Sequence, residues 1–218
     1  MIHETVNYLT SISDLEWGLY AISRDPLNKK INPDITEELI QRSIQCGKGQ
    51  AQNLLSKYPN HSVKEIAQKM NLEIRMKDSY GTDNYIMFAC YNSPNSITLF
   101  KNNIELEKDF LIQEDLFQKL EDVNIEDLLI AHEMFHYLEE NDQSIYTRTT
   151  KIELWRIGKF IYKSKLIALG EMAAMSFAKE ILSLGYNPFV FDVLMLYAHD
   201  KEKTNNLLNE IKEIIKRS

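Results

Sequence analysis

The run His132-Glu133-Met134-Phe135-His136 constrains this chain more than any other segment, because of the residues that lead into it. Ile125, Leu128 and Leu129 recur at the spacing of one helix face, and the two histidines continue that apolar line. Side chains four residues apart on a helix are neighbours, about 5–6 Å apart at Cβ. Both imidazoles therefore leave one side of one helix, toward the interior, where an unpaired ring nitrogen needs a partner. Neutral imidazoles converging from one face suit a bound metal, and HExxH on a helix is the pattern in which two histidines hold zinc beside a glutamate base.

A straight helix aims only two side chains at one ion, so a third ligand must come from another element. Glu139 and Glu140 lie a further turn along and point past the ion. Glu171 is better placed, on the stripe Ile167, Glu171, Ala174, Ala178 and Ile181 of a helix read from an N-cap at Ser164 to Leu184. A carboxylate within an apolar stripe needs a positive partner, which a metal supplies. Ala173, Ala174 and Ala178 would let this helix come close to the motif helix. The expected site is thus one Zn²⁺ per chain held by His132, His136 and Glu171, with an open position for water and Glu133 as catalytic base. A structural zinc site, by contrast, usually closes with four protein ligands and has no need of Glu133. His199, Tyr146, Tyr162 and Tyr186 are candidates for an oxyanion partner, and spacing alone selects none of them.

The remainder reads as mostly helical. Ser13-x-x-Glu16 and Ser62-x-x-Glu65 are capping boxes, and the second opens a short helix with Val63, Ile66, Ala67 and Met70 inward. Between them, one helix is expected from Thr36 to Gly47 and another from Gly49 to Tyr58, ended by Pro59. The period then drops to two at Leu72, Ile74 and Met76, and β-rich runs over 85–91 and 96–101 flank Asn92-Ser93-Pro94-Asn95 as a hairpin. Later helices are expected over 114–120, 125–140 and 150–162, with two more after Pro188. The fold class is α+β, mostly helical, with a small sheet of about three strands packed beside the motif helix in a zincin-like arrangement. Residues 1–47 read as a helical N-terminal extension, and 48–218 as a metallopeptidase domain with C-terminal helices.

The formal charge of −7 argues against tight attachment to nucleic acid or anionic membranes. The N-terminus has no signal-peptide pattern and no apolar run is long enough to cross a bilayer, which points to a cytoplasmic protein. Cys46 and Cys90 are far apart and read as core thiols. One stretch runs against the acidic trend: residues 148–165 carry six basic residues and one acid, read as an amphipathic helix on Leu154, Ile157 and Ile161. The segment 63–72 starts like a helix-turn-helix, but a strand pattern follows where a recognition helix should be.

With these residues in place the chain resembles the ImmA/IrrE family of zinc peptidases. That family pairs HExxH with a downstream segment like E-x-x-A-N-x-F-A, and Glu171, Ala174, Phe177 and Ala178 stand in the matching places. The likeness spans roughly residues 48–185. Met134 and Phe135 replace the family's usual Leu-Gly, and Met175 stands where it usually has Asn. The resemblance implies a metalloendopeptidase acting on a protein or peptide substrate, such as a transcriptional repressor encoded nearby. The alternative is a non-catalytic, zinc-containing interaction or regulatory module.

Overall fold

The computed structural model describes residues 2–78, 81–82 and 85–217, with the side chains of 81, 82, 85 and 86 outside the description. The run expected as one strand over 85–91 is broken at residues 87 and 88 into two short strands, Tyr85–Ile86 and Ala89–Asn92, which belong to different sheets. The fold is mostly helical α+β with a three-stranded mixed sheet. Among the described residues no helix is long and apolar enough to cross a membrane.

Three helices come first: α1 (Ile2–Ser11), α2 (Asp14–Arg24) and α3 (Pro33–Lys57). The Ser13–Glu16 capping box forms at the start of α2. The two helices expected on either side of Gly47 are one 25-residue helix, capped by Asn32 with Pro33 in its first turn. Gly47 does not end it. A Cβ at Gly47 would lie 2.0 Å from the carbonyl oxygen of Ala173, so the glycine allows close approach by a second helix. The boundary read at residue 47 falls inside α3.

Next come α4 (Val63–Lys69), opened by the expected capping box, and β1 (Glu73–Lys77). The short pair β2 (Gly81–Thr82) and β3 (Tyr85–Ile86) precedes β4 (Ala89–Asn92) and β5 (Ser96–Phe100). The sheet order is β1-β5-β4, with β1 parallel and β4 antiparallel to the central β5. Every residue of β5 is buried, as a central strand requires, whereas Met76 of β1 is half exposed. β4 is left as an edge. Helix α5 (Lys101–Gln113) follows directly, where a helix over 114–120 was expected; only a 3-10 turn at Gln118–Leu120 occurs there. The positive φ at Asp115, Glu121 and Asp122 shows why: the chain turns repeatedly in this stretch.

The motif helix α6 (Ile125–Asn141) leads to a single turn, α7 (Tyr146–Thr149). The helix expected over 150–162 is instead a hairpin, β6 (Ile152–Ile157) and β7 (Phe160–Ser164), with Gly158 at φ +58° in the turn. Its runs are rich in β-branched and aromatic residues, and a glycine in the left-handed region joins strands more readily than it continues a helix. α8 (Ile167–Leu182), α9 (Val190–His199) and α10 (Lys201–Lys216) complete the chain. Leu166 rather than Ser164 precedes α8, and Ser183 ends it in the left-handed conformation.

α8 runs through the middle of the molecule, between α3 and α6, and its position is fixed from several sides. Ser43 of α3 donates to the Leu169 carbonyl, and Ser176 donates to the Ile44 carbonyl at 2.9 Å. Phe177 meets Phe135 of α6 with ring centroids 5.9 Å apart, both fully buried. Burying a phenylalanine contributes roughly 1.5–3 kcal/mol, so this pair binds the two helices strongly. The N-terminus of α8 has no cap from Leu166. Asp25, just after α2 and almost fully buried, supplies one by accepting from the Ala168 N–H at 3.0 Å.

Candidate metal centre

α6 starts at an Asn124 cap that accepts from Asp127 N–H, and it buries Ile125, Leu128, Ile130, Ala131, Met134 and Phe135. That buried face fixes the helix rotation, so His132 and His136 emerge at the seam between α6 and α8. Their Nε2 atoms lie 3.1 Å apart. Glu171, on the facing side of α8, places Oε2 at 3.4 Å from His132 Nε2 and Oε1 at 3.6 Å from His136 Nε2. Among the described residues these three form the one His/Cys/Asp/Glu group able to hold a metal ion.

The spacing suits a metal. Ligand atoms about 2.0–2.1 Å from a tetrahedrally coordinated ion lie roughly 3.3–3.4 Å from one another, close to the three separations here. Two imidazoles and one carboxylate also form an established ligand set for such an ion. The electrostatics point the same way. Burial works against a charge on His132, yet the Glu171 carboxylate, with Glu133 adding, raises it to about 9. Burial also opposes charge on Glu171, and His132 and His136 nevertheless hold it down at about 2. Both shifts come from the close approach of the Glu171 carboxylate to the two imidazoles, which is where a metal cation would sit.

The surroundings hold the ligands in place. Glu139 Oε2 sits 3.6 Å from His136 Nδ1, behind the ring and away from the cluster. Glu140 accepts from Ser93 Oγ at 2.8 Å. Neither joins the ligand group. His132 Nδ1 is buried with no hydrogen-bond partner. Asp192 of α9 is close enough to feel the cluster: burial, then the Glu171 carboxylate, push it up to about 7. Glu133 leaves the helix toward the sheet, where its Oε2 accepts from the backbone N–H of Tyr91 in β4 at 2.7 Å.

Two cavities are lined by both a histidine of the cluster and Glu171. One, about 240 Å³, is bounded by His132, Glu133 and Glu171 and otherwise mostly apolar, with Met87, Phe88, Leu129 and Phe191 in its wall. The other, about 420 Å³, is polar and includes Tyr91, His136, Glu139, Arg148, Lys165 and Glu171.

None of the four oxyanion candidates lines either of these cavities. Tyr186 donates to the Leu120 carbonyl in the core, and Tyr162 stacks on Trp155 in the hairpin. Tyr146 lies beneath the Arg42 guanidinium, and His199 meets Phe88 edge to face. Sequence reasoning missed the Glu139 contact and the Tyr91 amide. The first was accessible, since residues 136 and 139 are helix neighbours; the second depends on how the sheet docks. Comparison with protein-family models, curated proteins and solved structures finds no match to this chain.

Proposed function

We propose that this protein is a zinc-dependent metalloendopeptidase that hydrolyses a peptide bond in a protein substrate, with His132, His136 and Glu171 as metal ligands and Glu133 as general base. The observation that carries this reading is the juxtaposition of a three-donor group spaced for a tetrahedral ion with a separate carboxylate next to it. Zinc is the preferred ion because neutral imidazole and carboxylate at this spacing match its usual ligands, and three protein donors leave one position open.

Bound zinc would supply Lewis acidity, polarising the scissile carbonyl and making water acidic enough to lose a proton near neutral pH. The chain's own residues supply the rest. Glu133 accepts the proton from the attacking water and passes it to the leaving amine. The Tyr91 N–H holds one oxygen of Glu133 and leaves the other for that transfer. β4 is an edge strand of its sheet and reaches the cluster through Tyr91, so an extended peptide can run alongside it. Glu139 fixes the His136 ring from behind, the usual arrangement for a metal-binding histidine. The resemblance to the ImmA/IrrE family supports the same chemistry and a regulatory protein, such as a repressor, as substrate.

The test is elemental analysis of purified wild type beside Glu171→Ala, combined with mass spectrometry of a complex peptide mixture incubated with each. About one zinc per chain and new peptide termini with wild type, both lost in the variant, are expected. Absence of zinc from wild type even after reconstitution would overturn the reading. A full complement of zinc without any cleavage would favour the non-catalytic module.

A further inference from the structure

The hairpin β6–β7 and the turn before it enclose a third cavity, about 530 Å³, lined by Gln143, Arg148, Thr149, Lys151, Lys163 and Lys165. Four of these six residues are cations and none is an acid. Arg148 and Lys165 also line the polar cavity that ends at His136 and Glu171, so the two spaces adjoin. Resting on the peptidase reading above, we infer that the substrate is a peptide with one acidic flank, seated in this basic cavity while its scissile bond lies at the metal cluster.

The positive charge is only partly compensated: Arg148 acts on the Glu140 carboxylate and Lys163 on that of Glu153. Arg148 donates from Nη1 to the carbonyls of Glu139 and Glu140, at 3.0 and 2.5 Å, which orients the guanidinium without pairing it to a carboxylate. Among the described residues Lys151 and Lys165 form no ion pair. Lys163 faces Glu153 across the hairpin, but both Glu153 oxygens are taken by Arg156, at 3.0 and 2.7 Å. A chain of net charge −7 thus concentrates exposed cations beside its own cleft. Such a patch attracts acidic ligands and orients them on approach.

The same geometry disfavours a polynucleotide. Past Lys165 the wall of the cleft carries Glu139, Glu140 and Glu171, which would repel a phosphate backbone continuing toward the cluster. A peptide whose acids stop short of the scissile bond avoids that conflict. The other cavity at the cluster, walled by Met87, Phe88, Leu129 and Phe191, calls for an apolar side chain. The two flanks of the substrate therefore differ in chemistry, which fixes its direction through the site.

The test is fluorescence anisotropy with zinc-loaded Glu133→Gln protein and dye-labelled synthetic peptides sharing a leucine-bearing centre, with one flank of glutamates, glutamines or lysines. A dye-labelled oligothymidylate serves as the competing class. The glutamate peptide should bind about tenfold more tightly than the glutamine peptide at low salt, as expected when several exposed ion pairs each add a little. Lys151→Glu/Lys165→Glu should abolish that advantage, and Lys151→Arg/Lys165→Arg should keep it. Equal binding of glutamate and glutamine peptides, or tighter binding of the oligothymidylate, would overturn the inference. Zinc content and cleavage by wild type, measured in parallel, separate the two readings: their loss removes the peptidase reading, whereas equal binding with both intact removes only this inference.

Discussion

Tyr91 donates its backbone N–H to Glu133 Oε2 across 2.7 Å, tying the motif helix to the edge strand of the sheet. A backbone donor facing off an edge strand is what an added peptide strand would use, and here the proposed base engages it. A charged acceptor makes this bond shorter and stronger than a neutral one. The contact sets where the carboxylate points, independently of any ion.

Glu133→Gln keeps an oxygen acceptor for Tyr91, so the fold and metal content should remain at wild-type level. Peptide cleavage should fall by roughly 10²–10⁴-fold, the range expected for loss of a general base. Rate measurements on any peptide identified as a substrate, with elemental analysis of the same samples, check this. Retention of full activity would remove Glu133 from the chemistry.

Asp25 caps α8 from outside the helix, with Oδ2 on the Ala168 N–H and Oδ1 on the Leu27 N–H at 2.8 Å. Asp25→Ala should cost about 1–2 kcal/mol of stability, as loss of a helix cap does. Because α8 carries Glu171, metal affinity should fall as well. Urea unfolding and a metal titration measure the two effects separately, and unchanged values in both would show the cap to be dispensable.

Gly47 and Gly49 lie on the same helix and should respond in opposite directions. A Cβ at Gly47 meets the Ala173 backbone at 2.0 Å, whereas one at Gly49 has nothing within 4 Å. Gly47→Ala must push α3 and α8 apart, at a cost of about 3 kcal/mol. Gly49→Ala should stabilise by roughly 0.5–1 kcal/mol, the ordinary gain in helix propensity. Urea midpoints of the two variants decide the matter.

Glu107 of α5 is fully buried, and neither carboxylate oxygen has a hydrogen-bond partner. Burial raises its carboxyl to about 8 from the usual 4.5. The folded protein therefore keeps the proton where the unfolded chain releases it. Stability contributed by this group is fully present below about pH 4.5 and is lost as pH rises toward about 8. Glu107→Leu should flatten that decline, raising the urea midpoint more at pH 8 than at pH 5. An equal shift at both values would mean that the group does not titrate in this range.

The parts legible in the sequence were those whose signals are local. The capping boxes at Ser13 and Ser62, the motif helix and the change of period at Leu72 each occupy a few consecutive residues. Glu171 was legible for another reason, as a carboxylate in an otherwise apolar stripe. The hairpin over 152–164 was misread because Leu154, Ile157 and Ile161 happen to fall at helical spacing. In the structure Ile157 is 70% and Phe160 77% exposed, so no buried face stood behind that pattern. Gly47 was misread because a glycine that ends a helix and one that admits a neighbouring helix look alike in one dimension. The Tyr91 amide and the Asp25 cap depend on contacts between distant segments, which local pattern does not encode.

The cap from Asp25 to Ala168 joins residues 143 positions apart. As the chain leaves the ribosome, the capping residue and both histidines emerge before α8 exists, so the nascent protein presents two of the three candidate donors before Glu171 is made. Closing so long a loop carries a cost in chain entropy that local helices do not incur. A chain interrupted before residue 171 would carry the full HExxH motif without Glu171, the third member of the candidate group.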